Sequence, residues 1–223
     1  MKRCFDFITA AAGLVLSSPV LAMLAVLIRC TSGPPVFFRH VRIGCGGREF
    51  LLCKFRTMRM APDSCGIWTS ADGGWKAEGV GFDAGDMSRV TPVGRMLRRW
   101  KLDELPQLWN VLMGDMSLVG PRPEVRTWVD AYSERWARVL TVRPGITDPA
   151  SIVYHNEEDI LAQSPNPQRT YREDILPHKL SLYEDYVRNR TFLGDIKILL
   201  MTLRVVVGGG ANTVRSREFG VRK

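Results

Sequence analysis

The longest unbroken run of apolar positions lies near the start of the chain: Phe7 to Ile28 carries no charge over its 22 residues. Lys2 and Arg3 precede it, Asp6 sits at its edge, and Arg29 follows. As a straight helix it would rise about 33 Å, close to the roughly 30 Å thickness of a hydrocarbon core. Ser17-Ser18-Pro19 falls near its centre. Proline removes one helix hydrogen bond and crowds the preceding turn, so a bend is predicted at Ser18-Pro19, with serine hydroxyls satisfying the freed carbonyls. Each arm then has about ten residues, too few to span a bilayer. Three readings fit the segment: a cleaved signal peptide, a Pro-kinked spanning helix, and a re-entrant hairpin that enters and leaves on one face. Basic residues flank both ends, so charge asymmetry does not choose between them.

After Pro34-Pro35 the pattern changes. Val36-Phe37-Phe38 and Phe50 to Phe55 are short apolar and aromatic runs, separated by the turn sequence Ile43-Gly44-Cys45-Gly46-Gly47. That spacing predicts a β-hairpin. Residues 62–88 are rich in Gly, Asp and Ser without periodic hydrophobes and read as a long loop. A helical period begins at Val93, is interrupted or restarted at Pro106, and continues through Leu108, Val111 and Leu112. Gly120-Pro121-Arg122-Pro123 forces an extended turn. Further helices are predicted over 124–140, 155–163, 172–189 and 192–207, with Gly208-Gly209-Gly210 stopping the last and a basic tail over 208–223. The fold class is therefore α+β, helix-dominated. It divides into an apolar segment over 1–32 and one compact domain over 33–207, for which 223 residues leave adequate material.

Charge adds a direction. Lys and Arg number 31 and Asp and Glu 23, a net of +8, which favours anionic partners such as nucleotide phosphates or acidic lipid. The five cysteines have no Cys-x-x-Cys spacing and read as reduced thiols. His40, His155 and His178 lack metal-ligand spacing, and no Walker-type loop is present.

The densest polar constellation follows Arg89. Five basic residues and no acid occur from Arg89 through Lys101, and Asp103-Glu104 come directly after. A carboxylate can attack phosphorus and divide one displacement into two, with arginines and a divalent ion neutralising phosphoryl charge. An acid pair beside basic residues is also what a solvated helix face looks like, and spacing alone does not decide. Lys54, Arg56, Arg122 and Arg143 sit at backbone-constrained places, and a guanidinium fork suits phosphate oxygens. Each read singly is equally a surface group.

The wording of the sequence is more specific than its spacing. Residues 101–112 (KLDELPQLWNVL) and 114–124 (GDMSLVGPRPE) closely resemble the bacterial sugar transferases, the monotopic polyprenyl-phosphate phosphoglycosyl transferases. Lys-Phe-Arg-Thr-Met (54–58), Val-Arg-Pro-Gly-Ile-Thr (142–147) and Phe-Leu-Gly-Asp-Ile-Lys-Ile (192–198) follow in that family's order, and the resemblance runs from about Met1 to Val207. It implies a re-entrant membrane helix hairpin broken at Ser18 and Pro19, with a cytosolic catalytic domain carrying interfacial helices. Asp103 would be the nucleophile toward the β-phosphate of a UDP-sugar, releasing UMP. Glu104 would assist metal or proton handling. Mg²⁺ would sit at the pair with Asp103 as its ligand, and Lys54, Arg56, Arg98, Arg122 and Arg143 would hold phosphate groups. The acceptor would be polyprenyl phosphate at the inner leaflet of the cytoplasmic membrane, with the domain on the cytoplasmic face. Nucleic acid is not implied, and a homodimer is left open.

The resemblance further implies a small, core-only member of the family. The chain departs from the family pattern after Thr147, where Asp148-Pro149-Ala150-Ser151 stands in place of a common Gly and Asn156-Glu157-Glu158-Asp159 follows. The competing function is a non-catalytic membrane adaptor that binds acidic lipids through its basic face.

Overall fold

In the computed structural model, residues 1–59 and 87–208 are described. The loop expected over 62–88 lies outside them except for its last residues, where Met87–Arg89 form a 3₁₀ turn. The tail beyond Gly208 also lies outside them.

Helix α1 runs from Lys2–Ser32 and stays helical through Pro19. Ser17 Oγ donates to Gly13 O at 2.6 Å and Ser18 Oγ to Val15 O at 2.7 Å, so the hydroxyls engage carbonyls around the proline as expected. By length and composition α1 could cross a membrane, and little of it is buried in the protein. Its two ends are different. Near the start, Asp6 is buried and accepts from Ser117 Oγ at 2.8 Å and Leu118 N at 3.2 Å. Lys2 reaches Asp195 at 2.6 Å, and Arg3 donates to the carbonyls of Val111 and Leu112. Near its far end, Leu24 and Ile28 pack with Phe55 and Leu97. Between these anchors Val15, Leu16, Val20 and Met23 are exposed.

Strands β1 (Phe37–Ile43) and β2 (Glu49–Phe55) form the predicted hairpin, antiparallel, with Phe37 opposite Phe55 and Ile43 opposite Glu49. β1 extends beyond its apolar run because Arg39, His40 and Arg42 continue the pairing. Helix α2 (Pro92–Arg99) starts on a Thr91 cap whose hydroxyl accepts from Gly94 N, with Pro92 in the first turn. Gly94 is required by proximity: a Cβ there would lie 2.0 Å from Thr57 O. A 3₁₀ turn, Leu102–Glu104, follows, and Pro106 then starts α3 (Gln107–Met113).

β3 (Ser117–Val119) pairs in parallel with β4 (Gly145–Thr147). Gly120 and Gly145 let the two segments touch, since a Cβ on Gly145 would fall 2.1 Å from Gly120 N. The single helix expected over 124–140 is divided into α4 (Arg126–Ala131) and α5 (Ser133–Val139). The break is at Tyr132, whose backbone leaves the helical region and whose hydroxyl donates to Arg172 O at 2.8 Å. Both Trp128 and Trp136 enter one core, with Trp136 Nε1 donating to Trp128 O.

The remaining helices are α6 (Pro149–Val153), α7 (Glu157–Ala162), α8 (Pro167–Thr170), α9 (Leu176–Asn189) and α10 (Phe192–Val207). A π-turn, Tyr171–Ile175, joins α8 to α9. One core gathers α4, α5 and α9 around Trp136 and Tyr183. A second joins α1, α3, β3 and α10 through Ala10, Val111, Leu118 and Ile198. The fold is α+β with helix predominant, as expected.

Candidate active site

The residues 54–58 divide their work at the end of β2. Lys54 faces a cleft; Phe55 is fully buried; Thr57 supports α2. The strand ends at Phe55, so alternation no longer carries Arg56 to the face of Lys54. The Arg56 guanidinium instead donates to the carbonyls of Ser32, Gly33 and Pro34, capping the end of α1.

The cleft has a volume of about 310 Å³. Its charged end holds Lys54, Arg98, Lys101, Asp103, Glu104 and Arg122, and its other walls include Leu105, Leu108, Ile146, Ile152, Val205 and Val206. Lys101 adopts a left-handed backbone (φ 54°), which turns the chain sharply between α2 and the 3₁₀ turn. That conformation costs a non-glycine residue about 1–2 kcal/mol, and it precedes the turn that buries Asp103.

The two neighbouring acids are in different states. Glu104 is held by both nitrogens of Arg122, at 2.5 Å (Nη2–Oε1) and 3.4 Å (Nη1–Oε2). Burial acts to raise its carboxyl, but the Arg122 charge and hydrogen bonds outweigh it and hold Glu104 below the usual range. Arg122 is raised in turn by Glu104. Asp103 Oδ1 is buried and has no hydrogen-bond partner among the described residues. Burial first, and the Glu104 charge second, push the Asp103 carboxyl up. Burial and the Arg42 charge bring Lys54 down to about 8, against the pull of Asp103 and Glu104.

Arg98 is set by Thr57, whose Oγ1 accepts from Nε at 2.9 Å, while Nη1 donates to Glu158 at 3.2 Å. Of the residues singled out in the sequence, Lys54, Arg98, Asp103, Glu104 and Arg122 thus meet in one cleft. Arg56 and Arg143 do not join them. Arg143 is exposed and its Nε donates to Gly114 O at 2.8 Å, capping α3, while its motif's glycine makes the close strand contact.

Further polar residues line the cleft or sit on the elements that build it. Lys179 has a side chain 4% exposed and pairs with Glu157 at 2.8 Å. Tyr154 and His178 meet at 2.6 Å, and Tyr154 lines the cleft. Asn110 bridges to the β2 edge, accepting from Cys53 N and donating to Leu51 O. Asp148 is explained by capping: it accepts from Ser151 N at 2.9 Å and from Ser151 Oγ, starting α6 with Pro149 in the first turn. An Asp-Pro-x-Ser sequence carries that cap signal, whereas Lys179, Tyr154, His178 and Asn110 act through partners 22 to 59 residues distant.

The described residues hold no group of three or more His, Cys, Asp or Glu placed for a metal. A Mg²⁺ ion takes one or two protein carboxylates and completes its shell with water and phosphate oxygens. The free Asp103 oxygen suits that type of site.

Comparison with known proteins bears on this arrangement. EpsL of Bacillus subtilis, named an uncharacterized sugar transferase, is 36% identical over 207 residues, 93% of this chain and 87% of that protein. The UDP-glucose:undecaprenyl-phosphate glucose-1-phosphate transferase of Caulobacter vibrioides is 35% identical over 206 residues, 91% of this chain and 68% of its own length. The UDP-N-acetylgalactosamine-undecaprenyl-phosphate N-acetylgalactosaminephosphotransferase of Aeromonas hydrophila is 35% identical over 214 residues; the match covers 94% of this chain but 44% of that protein. The family model described as bacterial sugar transferase matches residues 1–209, which take in every wall of the cleft, and the chain belongs to that family.

Proposed function

We propose that the chain transfers a sugar-1-phosphate from a UDP-sugar to undecaprenyl phosphate. One observation carries this reading: a buried Asp103 oxygen with no hydrogen-bond partner among the described residues shares a cleft with Lys54, Arg98 and Arg122 and with an apolar wall. The charged end suits a diphosphate, and the apolar wall suits a lipid phosphate. The Aeromonas hydrophila and Caulobacter vibrioides relatives are named as transferases of a sugar phosphate to undecaprenyl phosphate, which agrees with that pairing.

In the proposed chemistry an Asp103 oxygen attacks the β-phosphorus of the donor. The bond from that phosphorus to the bridging oxygen breaks and UMP leaves with the electron pair. An oxygen of undecaprenyl phosphate then attacks the same phosphorus, and the acyl-phosphate bond breaks to restore the Asp103 carboxylate. Lys54, Arg98 and Arg122 neutralise phosphate charge. Glu104 keeps Arg122 oriented through its two-point contact. A Mg²⁺ ion held by Asp103 would supply further charge neutralisation at the phosphates.

Membrane attachment is proposed to use α1 as a re-entrant helix, with the catalytic domain on the cytoplasmic face. Support comes from its two anchored ends: Lys2, Arg3 and Asp6 at one, Leu24 and Ile28 at the other, all docked on the water-facing body. The exposed apolar residues between them then face lipid. α10 presents Leu193, Leu200, Leu203 and Val207 outward and fits an interfacial position.

The test is a UMP-release assay on detergent-solubilised protein with undecaprenyl phosphate, Mg²⁺ and a panel of UDP-sugars. Release with at least one donor, lost on chelation, is expected. Silence across the panel from folded protein refutes the reading, and an Asp103→Asn protein that turns over normally refutes the nucleophile.

A further inference from the structure

Five cations and four carboxylates of the described residues face the cleft. Three of the carboxylates are already spoken for by protein cations. Glu104 is held by Arg122, Glu157 by Lys179, and Glu158 by Arg98. An incoming diphosphate therefore meets cations whose charge is largely answered from within the protein.

The three pairs are not equally exchangeable. The Glu104–Arg122 contact is two-pointed and mostly buried. Lys179 is buried with its ammonium 5.2 Å from the Tyr171 ring centroid, so withdrawing Glu157 would strand a charge out of water. Glu158 makes one contact to Arg98 at 3.2 Å, and its side chain is half-exposed. Exposed single-point pairs are weak and break readily. Arg98 itself has a second hold, because Thr57 Oγ1 accepts from its Nε. When Glu158 leaves, Arg98 stays in place.

Sequence neighbours on α7 thus divide two tasks. Glu157 ties the start of the helix to α9 through Lys179, and that tie presents Glu158 to Arg98 across 60 residues of sequence. We infer that Glu158 is a built-in competitor for the donor's phosphate on Arg98, an exchangeable carboxylate that sets donor affinity by having to be displaced. This rests on the reading above that the cleft binds a nucleoside diphosphate. The exchange is Arg98–Glu158 broken, Arg98–phosphate formed, and the Glu158 carboxylate returned to water.

The experiment titrates UDP into the full-length, detergent-solubilised protein with Mg²⁺ by calorimetry, and measures donor KM and kcat by UMP release. Glu158→Gln is expected to tighten UDP binding and lower donor KM by about twofold to fivefold, with kcat within twofold of the parent. In an Arg98→Gln background the same change is expected to have no effect, since the competition has lost its object. Unchanged or weaker UDP binding by Glu158→Gln overturns the inference. So does an equal gain without Arg98, which would mean that Glu158 acts only through the general field of the cleft. A parent protein that binds UDP and releases UMP while Glu158→Gln behaves identically sinks this inference alone. A parent that does neither sinks the functional reading with it.

Discussion

Two pairs of adjacent acids face the same cleft, Asp103-Glu104 on a tight turn and Glu157-Glu158 at the start of a short helix. In each pair one carboxylate is fixed by a cation and the other is left more available. The fixed members are Glu104, on Arg122, and Glu157, on Lys179. The available members differ in kind. Asp103 is buried with an oxygen that meets no partner among the described residues, whereas Glu158 is half in water with a replaceable one. Burial is what separates them. A carboxylate out of water keeps an uncompensated tendency to bind a cation or an electrophile, and a solvated one is merely a competitor for a neighbouring charge.

That comparison can be broken most sharply at Asp103. Asp103→Asn is expected to lower turnover by at least about 10³-fold, with the variant still folded, while Glu104→Gln lowers it by about tenfold to a hundredfold. UMP release under saturating donor checks both. A Glu104→Gln variant worse than Asp103→Asn would reverse the assignment of roles.

The fixed and available members of the second pair should separate in stability. Glu157→Gln leaves the buried Lys179 ammonium without its carboxylate and is expected to cost about 3 kcal/mol in urea unfolding. Glu158→Gln should change stability by less than about 0.5 kcal/mol. Equal costs would mean that the two glutamates are held alike.

A pH profile sharpens the view of the charged end. Lys54 loses its proton at about 8, so its charge is present below that pH and withdrawn above it. If it helps hold donor phosphate, kcat/KM for the donor should fall about tenfold per unit beyond that point. Lys54→Met should remove this limb and lower the plateau. A profile identical in the two proteins would take Lys54 out of donor binding.

The smallest effect expected is at Asp148, an acid that serves the backbone and lies outside both pairs. Asp148→Ala should cost about 1 kcal/mol in thermal or urea unfolding through loss of the α6 cap. Asp148→Asn, which keeps an acceptor for Ser151 N and removes a buried charge, should cost less. Equal losses would argue against capping as its role.

Features written in neighbouring residues were legible beforehand. The apolar run became α1, the glycine-rich turn became the hairpin, the period from Val93 became α2, and Pro106 marked the break before α3. The period over 124–140 continues through Tyr132, so it does not show the break there, where the backbone leaves the helical region and the hydroxyl meets Arg172 O, 40 residues on. Arg56 and Arg143 were grouped with the cleft because their motifs were, yet strand ends and helix termini took their guanidinium groups elsewhere. Asn110 and Lys179 stand out in no pattern, since each acts on a partner between 22 and 59 residues distant, and Glu158 shows only as part of a departure from the family wording.

The sequence by itself determined that there is an apolar anchor, an acid pair amid cations, and a family wording around both, because those properties reside in contiguous residues. Only the tertiary structure decided which acid of each pair is available. Arg122 arrives from 18 residues beyond Glu104, and Arg98 and Glu158 are 60 apart. The state of a carboxylate depends on water excluded and charges brought near, and both are set by packing between elements that the local chain does not encode.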